Sequence, residues 1–357
     1  MNTVLYILAA IVLLGILIAV HEGGHFVTAR LTRIPVREYA IGMGPKILSR
    51  TSRKTGIVYS LRAVPMGGFC AFYGEDDPDE KAQNDPRAFS RQKLWKRILT
   101  VVMGPGMNFI LALAVLFAWY WIGGIEQITD YDVKIVSVAE DTPAAEAGFR
   151  PDDLVIAVDG ETVTGEDTVI ALTNRWKEGD GPIAYTVRRG DETLVLSAAP
   201  RYDEQSKHWL IGITMSRANI VTEHRTLTGG EAFTQAFEDC VLVGGAIFRA
   251  IGDLFRGRGW EDVAGPVGTL AIITGQVRDF GFDGFLNLLV IISVNLGVMN
   301  LLPIPGLDGA RIIFMIVEAI RGKPVPPEKE AVVHLIGMAV LFGLMIFLTV
   351  KDVGRLF

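Results

Sequence analysis

The sequence predicts a polytopic α-helical membrane protein of about four transmembrane helices, with a membrane-associated β-rich element and an inserted α/β domain. Three observations predict it. Half of the 357 residues are hydrophobic and the mean hydropathy is +0.35, above what a soluble chain of this length carries. The apolar residues gather in four blocks, each long enough to supply the ~20 residues that cross a bilayer core. The two longest polar stretches between blocks read as strands and short helices closed by Gly, Pro and Asp turns.

The first block runs from Val4 to Val20 and continues through His21-Glu22-Gly23-Gly24-His25 to Arg30. It lacks the basic start and small-residue cleavage site of a signal peptide, so residues 1–30 are expected to be a retained span. Residues 31–96 follow as a membrane-associated β element and loop. Alternation in Gly56-Ile57-Val58-Tyr59-Ser60-Leu61-Arg62 marks strands, an apolar Val64–Phe69 tip could dip into the membrane face, and acidic 76–85 reads as a solvated loop. The second block, Ile98 to Ile125, gives a span over 97–126. Residues 127–216 read as an α/β domain with strands at Val133–Val138 and Asp153–Val158, a short helix at Pro143–Gly148, a helix from Asp167 to Trp176, and paired strands at Ile183–Val187 and Thr193–Ala198.

In residues 217–283, Phe233, Phe237, Val241, Ile247, Ile251 and Phe255 recur at helical spacing. That pattern fits an amphipathic helix lying on the membrane and equally one packed on the domain or the spans. The third block, 284–320, is interrupted by Asn300, Pro303 and Pro305, which predicts a span with a broken segment. A loop over 321–331 and a fourth span over 332–357 complete the chain.

Flanking charge sets the expected orientation. Between Arg30 and Arg97 there are 14 Lys and Arg against 7 Asp and Glu; between Glu126 and Asp283 there are 14 against 27. The first is a positive-inside loop. The second belongs outside, and both termini then lie outside. The net charge of −6 and the lack of a basic stripe exclude nucleic acid as a partner. The two cysteines, Cys70 and Cys240, rule out a disulfide framework and a cysteine zinc cluster, and read as ordinary buried or interfacial thiols.

Chemistry concentrates in His21-Glu22-Gly23-Gly24-His25. On a helix, residues i and i+4 share a face, so two imidazoles can hold one Zn²⁺ while Glu22 serves as general base toward its water. Ionisable side chains inside a span are costly and mark function. A third ligand is needed, and Asp308 is the only acid between Asp283 and Glu318. His25 precedes Arg30 and Asp308 precedes Arg311, which brings both to similar depth on the cytoplasmic side. Pro303 and Pro305 remove backbone donors. The freed carbonyls and Asn300 could pair with an extended substrate, or the prolines could form a simple kink with Asn300 bonding a neighbouring helix. His208, His224 and His334 show no such pattern and read as surface or interface histidines.

These segments, with Ile41-Gly42-Met43-Gly44-Pro45-Lys46, Val64-Pro65-Met66-Gly67-Gly68-Phe69, Gly104-Pro105-Gly106-Met107-Asn108 and Ser293-Val294-Asn295-Leu296-Gly297 leading into Asn300–Gly309, resemble the site-2 protease family of intramembrane zinc metalloproteases, and within it the bacterial regulator of sigma-E protease group. The resemblance implies a zinc metalloendopeptidase of the bacterial inner membrane with one Zn²⁺ on His21, His25 and Asp308 and with Glu22 activating water. It implies that Asn300, Pro303 and Pro305, with Gly67, Gly68 and Phe69 of the β element, hold the substrate. The implied substrate is a single-span membrane protein already trimmed outside, such as an anti-sigma factor, or a remnant signal peptide.

The inserted domain resembles a PDZ domain from Thr142-Pro143-Ala144-Ala145-Glu146-Ala147-Gly148 through Leu154–Gly160, which implies a periplasmic module that captures a peptide or chain terminus by strand addition or acts as a size filter. Two features depart from the pattern: many relatives carry two such domains where the length here has room for a single one, and the usual Gly-Asp reads Asp152-Asp153. A membrane scaffold with a vestigial metal site is the competing class, but it has no need to retain Glu22. A metal transporter would need polar residues spread over several spans, and the second and fourth blocks have few apart from Asn108.

Overall fold

The computed structural model describes residues 2–75, 82, 85–204, 207–261 and 263–356. Most of the acidic 76–85 stretch lies outside the described residues. The chain divides into two compact units, Met1–Gly123 with Thr228–Phe357, and Gly124–Leu227.

In the first unit, α1 (Asn2–Thr32) is followed by the antiparallel pair β1 (Val36–Thr51) and β2 (Val58–Phe72). Both strands are long and bent: Ile41 pairs with Gly68 on one side and with Leu61 on the other. Glu38 fastens the bend, accepting from Ser60 Oγ at 2.7 Å, Arg62 Nη2 at 2.8 Å and Lys46 Nζ at 3.1 Å. Burial pushes its carboxyl up, but these three donors outweigh burial and hold it down at about 2.

Helix α2 (Leu94–Gly123) packs along α1. After the second unit, α5 (Gly229–Phe255) opens with a capping box in which Thr228 and Glu231 satisfy each other's backbone N–H groups. One face of α5, with Ala236, Val243, Ile247 and Ile251, packs against α2 and α6 (Pro266–Leu301), while Phe237, Val241 and Leu242 face outward. Of the residues at helical spacing in 233–255, Ile247 and Ile251 pack on the apolar helices, whereas Phe233, Phe237, Val241 and Phe255 are exposed. Helices α7 (Asp308–Arg321) and α8 (Pro327–Leu356) close the unit.

Among the described residues, four helical segments are long and apolar enough to cross a membrane: Val4–Thr32, Leu94–Gly123, Pro266–Leu301 and Glu328–Gly354. The third differs from the expected 284–320. It begins at Pro266, breaks at Gly281, whose φ of 59° and ψ of −130° leave the helix, and ends at Leu301. Only glycine tolerates that conformation readily. Beyond the turn at 302–307, α7 is a separate helix. The charged residues Arg278, Asp279 and Asp283 hide the apolar pattern of 266–280 from a hydropathy reading. What the sequence suggested as a connector up to 283 is thus partly helix. At the far end of α8, Asp352 accepts from Gly268 N at 2.7 Å and Lys351 Nζ donates to the carbonyls of Trp260 and Glu261. This fastens α8 to the start of α6.

The second unit is wider than the expected 127–216, because β3 (Ile125–Val138) and β10 (Ile213–Arg225) pair over their whole lengths. Its sheet runs β10-β3-β4-β6-β7, with β4 at Leu154–Val158, β6 at Ile183–Arg189 and β7 at Glu192–Ala198; the two-residue β5 (Glu161–Thr162) adds to β4. A small pair, β8 (Arg201–Asp203) with β9 (His208–Leu210), stands apart. Helix α3 (Pro143–Ala147) has Thr142 as N-cap, Pro143 in its first turn and Gly148 closing it in the left-handed region. Helix α4 covers Glu166–Thr173. Val133, Ile135, Val155, Val158, Tyr185 and Val187 fill the core.

Asp152 stands where the usual pattern has glycine and takes a φ of +71°, a region that Asp enters more easily than most residues. The turn is therefore kept. Asp153 is fully buried and bonded by Arg189 through Nε and Nη2, both at 2.7 Å, and by the Arg150 N–H. Burial alone would push its carboxyl up; the Arg189 pair reverses this and holds it below the usual carboxylate range.

Candidate active site

Helix α1 carries His21, Glu22 and His25 on adjoining faces, and Asp308 enters from the first turn of α7. The ligand atoms of His21, His25 and Asp308 all lie within 4.8 Å of one another. Asp308 Oδ2 is 3.2 Å from Nε2 of both histidines. It is buried and makes no hydrogen bond among the described residues. Glu22 and His25 are buried beside it.

The other ring nitrogens fix which atoms are left to bind. His25 Nδ1 lies 2.9 Å from the Thr100 carbonyl. A carbonyl only accepts, so Nδ1 carries the proton and Nε2 presents a lone pair. His21 Nδ1 meets the Asn108 side-chain amide at 3.2 Å. Asn108 is fully buried and its Oδ1 has no hydrogen-bond partner among the described residues. Turning the amide over gives His21 Nδ1–H an acceptor and leaves its Nε2 free as well.

Glycines make the approach possible. A Cβ on Gly104 would clash with the His25 ring, and one on Gly24 would overlap the Met103 carbonyl. A Cβ on Gly68 would press on the Ala40 carbonyl, Ile18 and the Glu22 side chain. Gly23 faces open space. Behind α2, Ser293 Oγ donates to the Asn108 carbonyl at 2.8 Å. Arg97 Nη1 bonds both Glu318 oxygens at 2.9 Å and ties α2 to α7, while Arg311 pairs with Glu75.

A cavity of about 730 Å³ opens on the cluster. His21, Glu22, His25, Asp308 and Asn300 line its polar part, and Gly67, Gly68 and Phe69 of β2 border it. Leu14, Leu17, Ile18, Leu344 and Leu348 make apolar walls. Asn300 Nδ2 donates to the Leu296 carbonyl of its own helix. Of the residues expected to hold substrate, Pro303 and Pro305 are not among the lining residues; they shape the turn behind Asp308, and Pro305 abuts Gly337 of α8. The sequence reading passed over Thr100, Asn108, Gly104 and Ser293 as partners of the metal motif. Asn108 carried a signal, as a polar residue in an apolar span.

A model of peptidase family M50 matches residues 9–344. The chain belongs to peptidase family M50. A homologue in Agrobacterium fabrum is 33% identical over 98% of this chain and 96% of its own, and one in Clostridium acetobutylicum is 35% identical over 97% of each; both carry zinc metalloprotease names. The zinc metalloprotease RasP of Oceanobacillus iheyensis is 29% identical over 98% of this chain and 99% of its own. Among solved structures, the PDZ domain of an SdrC-like protein from Listeria monocytogenes is similar to 25% of this chain and 92% of its own, at 25% identity and a TM-score of 0.23. Membership of the M50 (site-2 protease) family makes the chain a zinc metalloendopeptidase.

The residues present suit zinc. Donor atoms about 2.0–2.1 Å from a tetrahedral zinc lie about 3.3 Å apart, and the two His–Asp separations are 3.2 Å. Two imidazoles with engaged outer nitrogens and a carboxylate oxygen with no hydrogen-bond partner among the described residues are the kind of donor set and outer shell that a catalytic zinc site uses.

Proposed function

We propose that His21, His25 and Asp308 hold one zinc ion, that Glu22 is the general base, and that the cavity takes a transmembrane segment of a pre-trimmed single-span membrane protein and cleaves a peptide bond within it. One observation carries this reading: a buried two-histidine, one-carboxylate cluster, its outer nitrogens bonded, at the polar end of a cavity with leucine-rich walls. Zinc held by these three residues would supply Lewis acidity toward the scissile carbonyl and the attacking water. Glu22 takes the proton of that water and passes it to the leaving amine. The apolar walls accept the substrate's side chains, while Asn300 and the β2 border at Gly67–Phe69 give its unwound backbone polar partners, which hydrocarbon cannot.

The four apolar helices and the outward-facing apolar side chains of α8, such as Val340, Ile346 and Phe347, suit a lipid bilayer. The charge asymmetry of the loops favours a site toward the cytoplasm of the bacterial inner membrane, with the 124–227 unit and both termini in the periplasm. In that unit the sheet ends in the edge strands β10 and β7, and edge-strand addition suits a PDZ-type role, receiving a peptide or chain terminus or filtering substrates by size. The substrate class that fits is an anti-sigma factor or a remnant signal peptide, each an apolar helix freed of its outer part.

The test is cleavage of a transmembrane substrate in liposomes. Glu22→Gln is expected to retain zinc and lose cleavage; Asp308→Ala is expected to lose both. Near-normal turnover by Glu22→Gln would sink the assignment.

A further inference from the structure

Asp308 is presented by the short turn that follows α6, and α8 holds that turn. Of the turn's N–H groups, Leu302 bonds the Met299 carbonyl, Ile304 the Leu302 carbonyl and Leu307 the Ile304 carbonyl. Pro303 and Pro305 have none. The remaining donor, Gly306 N–H, reaches out of the turn to His334 Nδ1 of α8 at 3.0 Å. Gly306 sits at a φ of +100° beside Met338 and Leu341, a conformation that glycine alone adopts without strain. One turn beyond His334, Gly337 lies so close to Pro305 that a Cβ would overlap the proline's ring and carbonyl.

The bond also sets the state of His334. An imidazole nitrogen accepts only when it carries no hydrogen. The proton therefore sits on Nε2, which faces Glu330 Oε1 of the preceding turn at 4.0 Å. Phe314 of α7 lies against the ring, with centroids 5.7 Å apart. His334 thus touches both sides of Asp308: the turn before it through Gly306, and the helix after it through Phe314.

We propose that His334 is a positioning residue for the metal centre, fixing the 302–307 turn so that Asp308 meets His21 and His25. This rests on Asp308 being a zinc ligand. Removing the acceptor frees the turn at the one N–H that nothing inside it satisfies, and the carboxylate that follows two residues later loses its register. The same helix lines the cavity at Leu341, Leu344 and Leu348, so the metal centre is tied to the wall that a substrate touches.

The test uses full-length protein in detergent and reads zinc affinity by competition with a chromogenic chelator, alongside cleavage. His334→Phe keeps a ring against Phe314 but has no acceptor. His334→Asn places Oδ1 where Nδ1 stood. The Phe variant is expected to bind zinc about 10-fold to 100-fold more weakly, as losing an outer-shell partner does, and to lose cleavage in proportion. The Asn variant is expected to recover most of both. Wild-type zinc affinity in the Phe variant, or an Asn variant as weak as Phe, overturns the proposal. Asp308→Ala run in parallel separates the two levels. If it binds zinc like the wild type, the ligand assignment fails; if it loses zinc while His334→Phe does not, only the role of His334 fails.

Discussion

Substituting Gly104 by alanine puts a methyl group where the His25 ring lies. The added carbon would clash with the Cε1–Nε2 edge of the imidazole, the edge that presents the metal-binding lone pair. The ring has little room to yield, because Nδ1 is bonded to the Thr100 carbonyl on the same helix α2 and Nε2 faces Asp308. Overpacking of this kind costs about 1–3 kcal/mol. If the strain falls on the His25–zinc bond, affinity drops about 5-fold to 150-fold, at tenfold per 1.4 kcal/mol. The assay is chelator competition on purified protein, with cleavage read in parallel. Gly15→Ala on α1 is the control, since nothing lies within 4 Å of its added carbon. It is expected to leave zinc affinity unchanged. A Gly104→Ala protein that binds zinc like the wild type would refute the packing of α2 against His25.

Asn108→Leu is expected to weaken zinc about 10-fold or more by removing the partner of His21 Nδ1, while Asn108→Ser retains part of it; chelator competition reads both. Arg189→Met is expected to destabilise the 124–227 unit by about 3 kcal/mol or more, since it leaves Asp153 buried without its partner; urea unfolding of the intact protein, followed by hydrogen exchange at β4 and β6, reads the loss. Asp153 is held below its unfolded value, so its contribution is present above about pH 4 and is lost as pH falls through the lower folded value. Protection of those strands, corrected for intrinsic exchange, should fall from pH 6 to pH 3 in the wild type and change less in Asp153→Ala. Removing metal with a chelator is expected to stop cleavage and zinc to restore it; activity that persists without zinc contradicts the assignment.

Much of the site was legible because the chemistry is local. Histidines four apart with a glutamate between them need only a helix to share a face, and Asp308 stood out as an acid in an apolar region. Short-range turn chemistry was legible for the same reason: the short helix read at Pro143–Gly148 is α3, with Pro143 in its first turn and Gly148 closing it. What stayed hidden is set by tertiary contact. Thr100 acts through its carbonyl, which no residue type announces. Gly104 matters because of a ring 79 positions earlier in sequence. His334 looked ordinary because its partner is a backbone N–H in a distant turn. The helix over 266–280 was masked by charges near Gly281, and the 124–227 unit outgrew its expected bounds because β10 continues beside β3.

The most direct measurement is zinc-edge X-ray absorption on the purified Glu22→Gln protein together with its metal content. One zinc per chain, with two imidazole nitrogens and one carboxylate oxygen among ligands at about 2.0–2.2 Å, is the predicted result. A sulfur ligand from Cys70 or Cys240, or zinc bound equally well after Asp308→Ala, would contradict it.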